Sequence, residues 1–231
     1  MTRLRWPFSR LILRHSLRQM NTEMSKRGAL IVFEGCDRCG KTTQCKKLVE
    51  VLENEKEDVQ FLRFPDRTTV IGKMINAYLN GSSELDDHVI HLLFSANRWE
   101  AAKNMKKLLQ GGTTLIVDRY AYSGVAFTAA KAGFEVDWCK QPDVGLPKPD
   151  LVIYLTLNQQ EAARRGGFGT ERYEQAEFQK KVAENFETIR EKDWKVIDAD
   201  KSIEDLHAEI KSLVKKTMND VHWEEIRTLW T

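Results

Sequence analysis

One eight-residue stretch constrains this chain more than any other. Gly35-Cys36-Asp37-Arg38-Cys39-Gly40-Lys41-Thr42 has the form G-x-x-x-x-G-K-[ST]. Residues 28–34 (Gly-Ala-Leu-Ile-Val-Phe-Glu) precede it as an apolar, β-branched run, the signature of a strand buried in a parallel sheet. Residues 41–54 follow it with a helical pattern. Strand, glycine-containing turn and helix are the setting in which such a loop binds phosphate. The glycines let successive N–H groups face one anion, and the helix N-terminus adds positive potential. Lys41 can reach β- and γ-phosphates, and the Thr42 hydroxyl can ligate Mg2+. The motif therefore names a nucleoside triphosphate as ligand, but it leaves the reaction open.

The rest of the chain agrees with that start. Residues 59–63, 115–118, 151–155 and 195–198 read as four more strands. Helical patterns cover 70–79, 86–110, 121–131, about 173–191 and 202–217, and Gly111-Gly112 ends the long one. Alternation of this kind predicts an α/β fold, a five-stranded parallel sheet flanked by helices, with right-handed crossovers. Residues 141–149 hold three of the five prolines and read as a connection. With 231 residues and 42% hydrophobic content, the chain can bury one substantial core. No stretch approaches the 18 apolar residues of a membrane span.

The formal charge of +2 conceals a division. Residues 1–22 carry Arg3, Arg5, Arg10, Arg14 and Arg18 and no acid. Setting these aside leaves 31 basic against 34 acidic residues, so the body is no nucleic-acid surface by charge. The boundary near Lys26 predicts a basic extension, 1–26, ahead of a domain at 27–231. Its composition suits a mitochondrial import peptide; without that role, cytoplasmic or nuclear residence is expected. Cys36-x-x-Cys39 invites a redox or zinc reading, yet no second Cys or His pair stands at ligand spacing. Small residues in the tight loop of a reduced protein are the expected role.

Asn-Lys-x-Asp, the usual guanine reader, is absent. Three further segments supply what a kinase needs for a second anion. Phe64-Pro65-Asp66-Arg67 follows the second strand, and Asp118-Arg119-Tyr120 ends the third. Phe94-Ser95-Ala96-Asn97-Arg98-Trp99 lies on the long helix. With these the chain resembles the thymidylate kinases from about Gly28 to Leu213. The resemblance implies a P-loop kinase fold with a small mobile lid, ATP and dTMP as substrates, Mg2+, and a homodimer.

Carried over by position, Arg67 and Arg119 clamp the dTMP phosphate, because guanidinium forks match phosphate oxygens. Phe94 stacks on thymine, and Arg98 donates to a base carbonyl. Asp37 accepts from the sugar 3′-hydroxyl, and Asp118 joins Thr42 around magnesium. Phe64, Ser123, Gly124, Phe127 and Gln179 complete the acceptor site. Tyr173 lies against the deoxyribose. Gly35, Cys36, Cys39, Gly40 and Thr43 join Lys41 in the ATP cradle, and the Asp200-Lys201 loop holds adenine. The basic, glycine-rich run from Arg164 to Gly169 forms a lid, with bounds near 160–175. Arg38 is expected to act as an arginine finger carried on the loop, where other members of the family place that arginine in the lid. Catalysis is thus expected from Arg38, Lys41, Asp37 and Asp118. The chain departs from the family in Asp66, where glutamate is usual, and in Cys36 and Cys39.

Overall fold

The computed structural model describes residues 26–158, 161, 164 and 171–231. The extension up to residue 25 and the glycine-rich part of the expected lid, 165–170, lie outside them. Five strands build one sheet: β1 (Leu30–Glu34), β2 (Val59–Arg63), β3 (Thr114–Asp118), β4 (Leu151–Thr156) and β5 (Lys195–Asp198). Their order is β2-β3-β1-β4-β5, and every pairing is parallel. Helices fully within the described residues are α1 (Lys41–Asn54), α2 (Val70–Leu79), α3 (Asp87–Gln110), α4 (Ala121–Ala129), α5 (Val136–Lys140), α6 (Ala176–Ile189) and α7 (Ile203–Asp220).

Alternation along the central strands makes two cores. Leu30 and Val32 of β1 face one side with Leu115, Val117, Val152 and Tyr154, under α3, α4 and α6. Ile31 and Phe33 face the other with Ile116, Ile153 and Leu155, under α1 and α7. All of β1 is buried, which explains its uninterrupted apolar run. Each such side chain contributes roughly 1.5–3 kcal/mol of transfer free energy. A smaller cluster of Ile75, Tyr78, Leu79 and Ile90 joins α2 to α3. Arg27 forks onto Asp150 at 2.7 Å through both terminal nitrogens. Its Nε donates to the Glu224 carbonyl at 2.6 Å, so the segment ahead of β1 is tied to the C-terminal segment.

Two expectations need correction. The connection at 141–149 is preceded by an unforeseen helix, α5, and opens with a 3-10 turn, Gln141–Asp143. Side chains from α3 hold this stretch by its carbonyls. His91 Nε2 meets the Cys139 oxygen at 3.0 Å, and Ser95 and Trp99 donate to that of Pro142. Burial pushes the His91 imidazole down to about 4, so it is neutral, with Nδ1 2.8 Å from the Thr128 hydroxyl. The second correction concerns the helix expected from about 173: Glu171–Tyr173 form a bend and turn, and α6 begins only at Ala176. The Arg172 amide donates to Leu79 O at 2.9 Å, and its guanidinium reaches Tyr78 O and Glu84. The segment is thereby drawn across to α2 before the helix begins.

Candidate functional site

The loop after β1 emerges where the sheet order reverses, with β3 on one side of β1 and β4 on the other. Ligands of open parallel sheets bind at this position. Gly35 and Gly40 have φ of 142° and 93°, values that oppose a side chain. Arg38 lies between them at φ 68°, sparsely populated for a non-glycine residue. Helices α2, α3 and α7 are capped by the side chains of Thr69, Asp86 and Ser202. The N-terminus of α1 has no side-chain cap. Its first-turn amides are therefore left for an anion. The buried amine of Lys41 donates to the carbonyls of Gly35 at 3.1 Å and Cys36 at 2.6 Å.

This loop borders two clefts with a common wall. The first runs over Arg38, Gly40, Lys41, Thr42 and Thr43 to Asp118 and, beyond α1, to Ala199, Lys201 and Ile203. Here Thr42 donates to Asp118 Oδ2 at 2.5 Å, and Arg63 Nε lies 3.7 Å from the same oxygen. The second cleft lies on the other side of the loop and is open to solvent. Phe64, Arg67, Phe94, Arg98, Arg119, Ser123, Gly124, Phe127 and Tyr173 line it. Asp37, Arg63, Arg119 and Glu174 belong to both.

Each of the cleft arginines meets a carboxylate. Arg67 forks onto Glu171 at 2.7 and 3.0 Å. Arg98 holds Asp143, and Arg38 lies 3.5 Å from Glu174. Arg119, at φ 68°, bonds Asp37 at 2.5 Å, Gly35 O at 3.0 Å and Ser123 at 3.1 Å, and lies over the Phe127 ring. Burial works against the Arg119 charge, but Asp37, Asp118 and Glu34 outweigh it and raise its pKa. Burial likewise opposes the Asp37 carboxylate, and Arg119 and Lys41 more than reverse this, lowering its pKa. The pair is thus held ionised, and burial strengthens it. Gln179 of α6 donates to Asp37 at 2.7 Å and accepts from the Asp37 amide at 3.0 Å. It does not line the second cleft but braces the loop behind it.

Most residues singled out from the sequence meet here. Gly35, Cys36 and Cys39, expected in the ATP cradle, line neither cleft but hold the Lys41 amine through two carbonyls and the Cys39 sulfur. Asp200 is exposed and outside both clefts, although Lys201 beside it lines the first. Arg164 is exposed and donates to Glu161, three residues back, and also lines neither cleft. Cys36 packs against the core under α4 and α6, whereas Cys39 belongs to the core under α1 and α7. The two thiols thus serve opposite faces of the sheet, and burial pushes that of Cys36 up to about 11. Among the described residues no cluster of three His, Cys, Asp or Glu could hold a metal.

Two buried acids escaped sequence reasoning. Glu34, at the end of β1, accepts from the amides of Tyr120 and Ser123 and from the Ser123 hydroxyl. It caps α4, which has no cap of its own, and so sets Arg119, Ser123 and Gly124 in place. Burial raises its pKa, and the bond from Ser123 partly offsets this. A charged residue closing a buried strand was the available signal. Asp143, hidden in a proline-rich connection, gave none.

A triphosphate cradle sharing a wall with an arginine-lined pocket defines a nucleoside monophosphate kinase. A family model described as thymidylate kinase matches residues 33–210. The chain belongs to the thymidylate kinase family. It is 52% identical over 208 residues to a thymidylate kinase of Danio rerio, covering 89% of this chain and 98% of that one. It is 51% identical over 209 residues to one of Homo sapiens, covering 89% and 99%. The solved thymidylate kinase of Candida albicans superposes with a TM-score of 0.81 at 39% identity, covering 89% of this chain and 99% of the other.

Proposed function

We propose that this enzyme transfers the γ-phosphoryl group of ATP to dTMP, giving ADP and dTDP. The observation that carries this reading is the common wall: Asp37 and Arg119 border both clefts, so two phosphates can meet across them. ATP lies with its β- and γ-phosphates on the loop amides and Lys41. Its base lies toward Ala199 and Lys201. The dTMP phosphate is held by Arg67 and Arg119, which exchange carboxylates for phosphate oxygens. Phe94 stacks on thymine, and Arg98 donates to its 4-carbonyl. A dTMP phosphate oxygen attacks the γ-phosphorus, and the bond to the β,γ-bridging oxygen breaks. Lys41 and Arg38 face the charge that spreads over the transferring group. Thr42 and Asp118 are hard oxygen donors suited to Mg2+, which takes one or two carboxylates along with substrate phosphates. Bound there, the ion would neutralise phosphate charge. A coupled ADP-release assay across nucleoside monophosphates tests the assignment. Turnover should be highest with dTMP, lower with dUMP and at least about tenfold lower with dCMP, since an unmatched buried donor costs about 1–3 kcal/mol. Equal turnover of dCMP would refute it.

Dimerisation accompanies this reading. Val89, Leu92, Ala96 and Trp99 recur at spacings of three and four on the outer face of α3, and Val89, Leu92 and Trp99 are exposed. Val70 and Met74 on the neighbouring α2 are exposed too. The face suits a two-fold contact with a second copy. Sedimentation should give a dimer that Leu92→Glu converts to monomer. A wild-type monomer would remove the proposal.

Among the described residues no helix is long and apolar enough to cross a membrane. The reading places the enzyme in the cytoplasm or nucleus, and in mitochondria if residues 1–22 act as an import signal. Residues 1–26 fused to a fluorescent reporter decide between these: a diffuse signal excludes import.

A further inference from the structure

Asp143 has no solvent exposure, and it sits on the 3-10 turn beside the acceptor cleft. Its carboxylate accepts from Arg98 Nε at 3.0 Å, from Arg98 Nη2 at 2.5 Å and from the Ser95 hydroxyl at 2.8 Å. A guanidinium has five N–H donors in a fixed plane. Two of them are spent on one edge, which leaves the Nη1 end for the cleft that Arg98 lines. Gly124 packs closely against the same guanidinium. A Cβ built there would stand 2.7 Å from Nη2 and 3.2 Å from Nη1, so any side chain would push the group out of place. His91 holds the helix just ahead of that turn through the Cys139 carbonyl, and Ser95 and Trp99 hold the turn itself through that of Pro142.

We propose that Asp143, supported by Ser95 and Gly124, is the positioning residue that sets base selectivity by holding Arg98 in one orientation toward the acceptor base. The inference rests on Arg98 reading a 4-carbonyl, as proposed above. A guanidinium can only donate. Held rigidly, it rewards a carbonyl and leaves a 4-amino group without an acceptor. Released from Asp143, the side chain can turn or withdraw, and the contrast between the two bases falls. Asp143 itself does not touch the base.

The test measures kcat/KM for dTMP and for dCMP with Asp143→Asn, Arg98→Ala and Gly124→Ala. Their ratio does not depend on how much of a preparation is folded, so a merely structural defect leaves it unchanged. Asp143→Asn should lower the ratio at least about tenfold, mainly through a higher KM for dTMP, with kcat within about threefold. Gly124→Ala should lower it in the same direction, and it carries the test if Asp143→Asn does not fold. A flattened ratio in Arg98→Ala with an unchanged one in Asp143→Asn would overturn the positioning role and leave the Arg98 reading intact. With Asp143→Asn insoluble, an unchanged ratio in Gly124→Ala is equally fatal. An unchanged ratio in Arg98→Ala would defeat both.

Discussion

Lys41→Ala is expected to retain less than a tenth of wild-type kcat while remaining folded. The Lys41 amine is buried against the loop carbonyls of Gly35 and Cys36, at the uncapped start of α1. Its charge is therefore fixed beside the phosphates before any substrate arrives. In a partly buried site such a charge counts for more than in water, and it needs no reorganisation during transfer. Alanine removes both the charge and the strut across the loop. Steady-state ADP release by the purified variant gives the number, and circular dichroism establishes that it is folded. A kcat above a tenth of wild type would remove Lys41 from the transfer step.

Arg38→Ala should separate catalysis from binding. A phosphate loop holds its triphosphate with backbone amides and lysine, so an arginine within the turn is surplus to binding. Arg38 nevertheless occupies an unfavourable left-handed backbone position, lines the first cleft and lies beside Glu174, which borders both clefts. As an arginine finger it would contribute roughly 10³–10⁵ in kcat. The variant should lose about a thousandfold in kcat with ATP affinity changed by no more than a few-fold. Arg164 and Arg165, in the run expected from the sequence to form a lid, would soften the loss. Single-turnover kinetics and nucleotide titration measure the two quantities separately. If ATP affinity falls while kcat stays within about threefold, Arg38 is a ground-state ligand, and the finger must be sought in the lid.

The fold was largely legible because its signals are local. A buried parallel strand requires an unbroken apolar run, as in Leu30–Phe33, and a phosphate loop requires glycine at set positions. The long helix was bounded by Asp86, which caps it, and by Gly111-Gly112. Local signals failed where distant contacts decide. Helix α5 is held by His91 of α3, which meets the Cys139 carbonyl, and α6 starts late because Glu171 and Arg172 are bound elsewhere. The site followed the same division. Arginines and aromatics at strand and helix positions could be read from motifs. Glu34 and Asp143 could not, since an acid's burial and its partner are properties of the assembled chain.

The sharing of Asp37 and Arg119 has a thermodynamic consequence. If each nucleotide meets that ion pair, as proposed above, the two binding equilibria are linked. If bound ATP changes the affinity for dTMP by some factor, bound dTMP changes the affinity for ATP by that same factor. A tenfold effect corresponds to about 1.4 kcal/mol passing in either direction through a single 2.5 Å contact. The wall between the clefts would then act as a coupler as well as a partition, and the order in which substrates arrive leaves the total binding free energy unchanged.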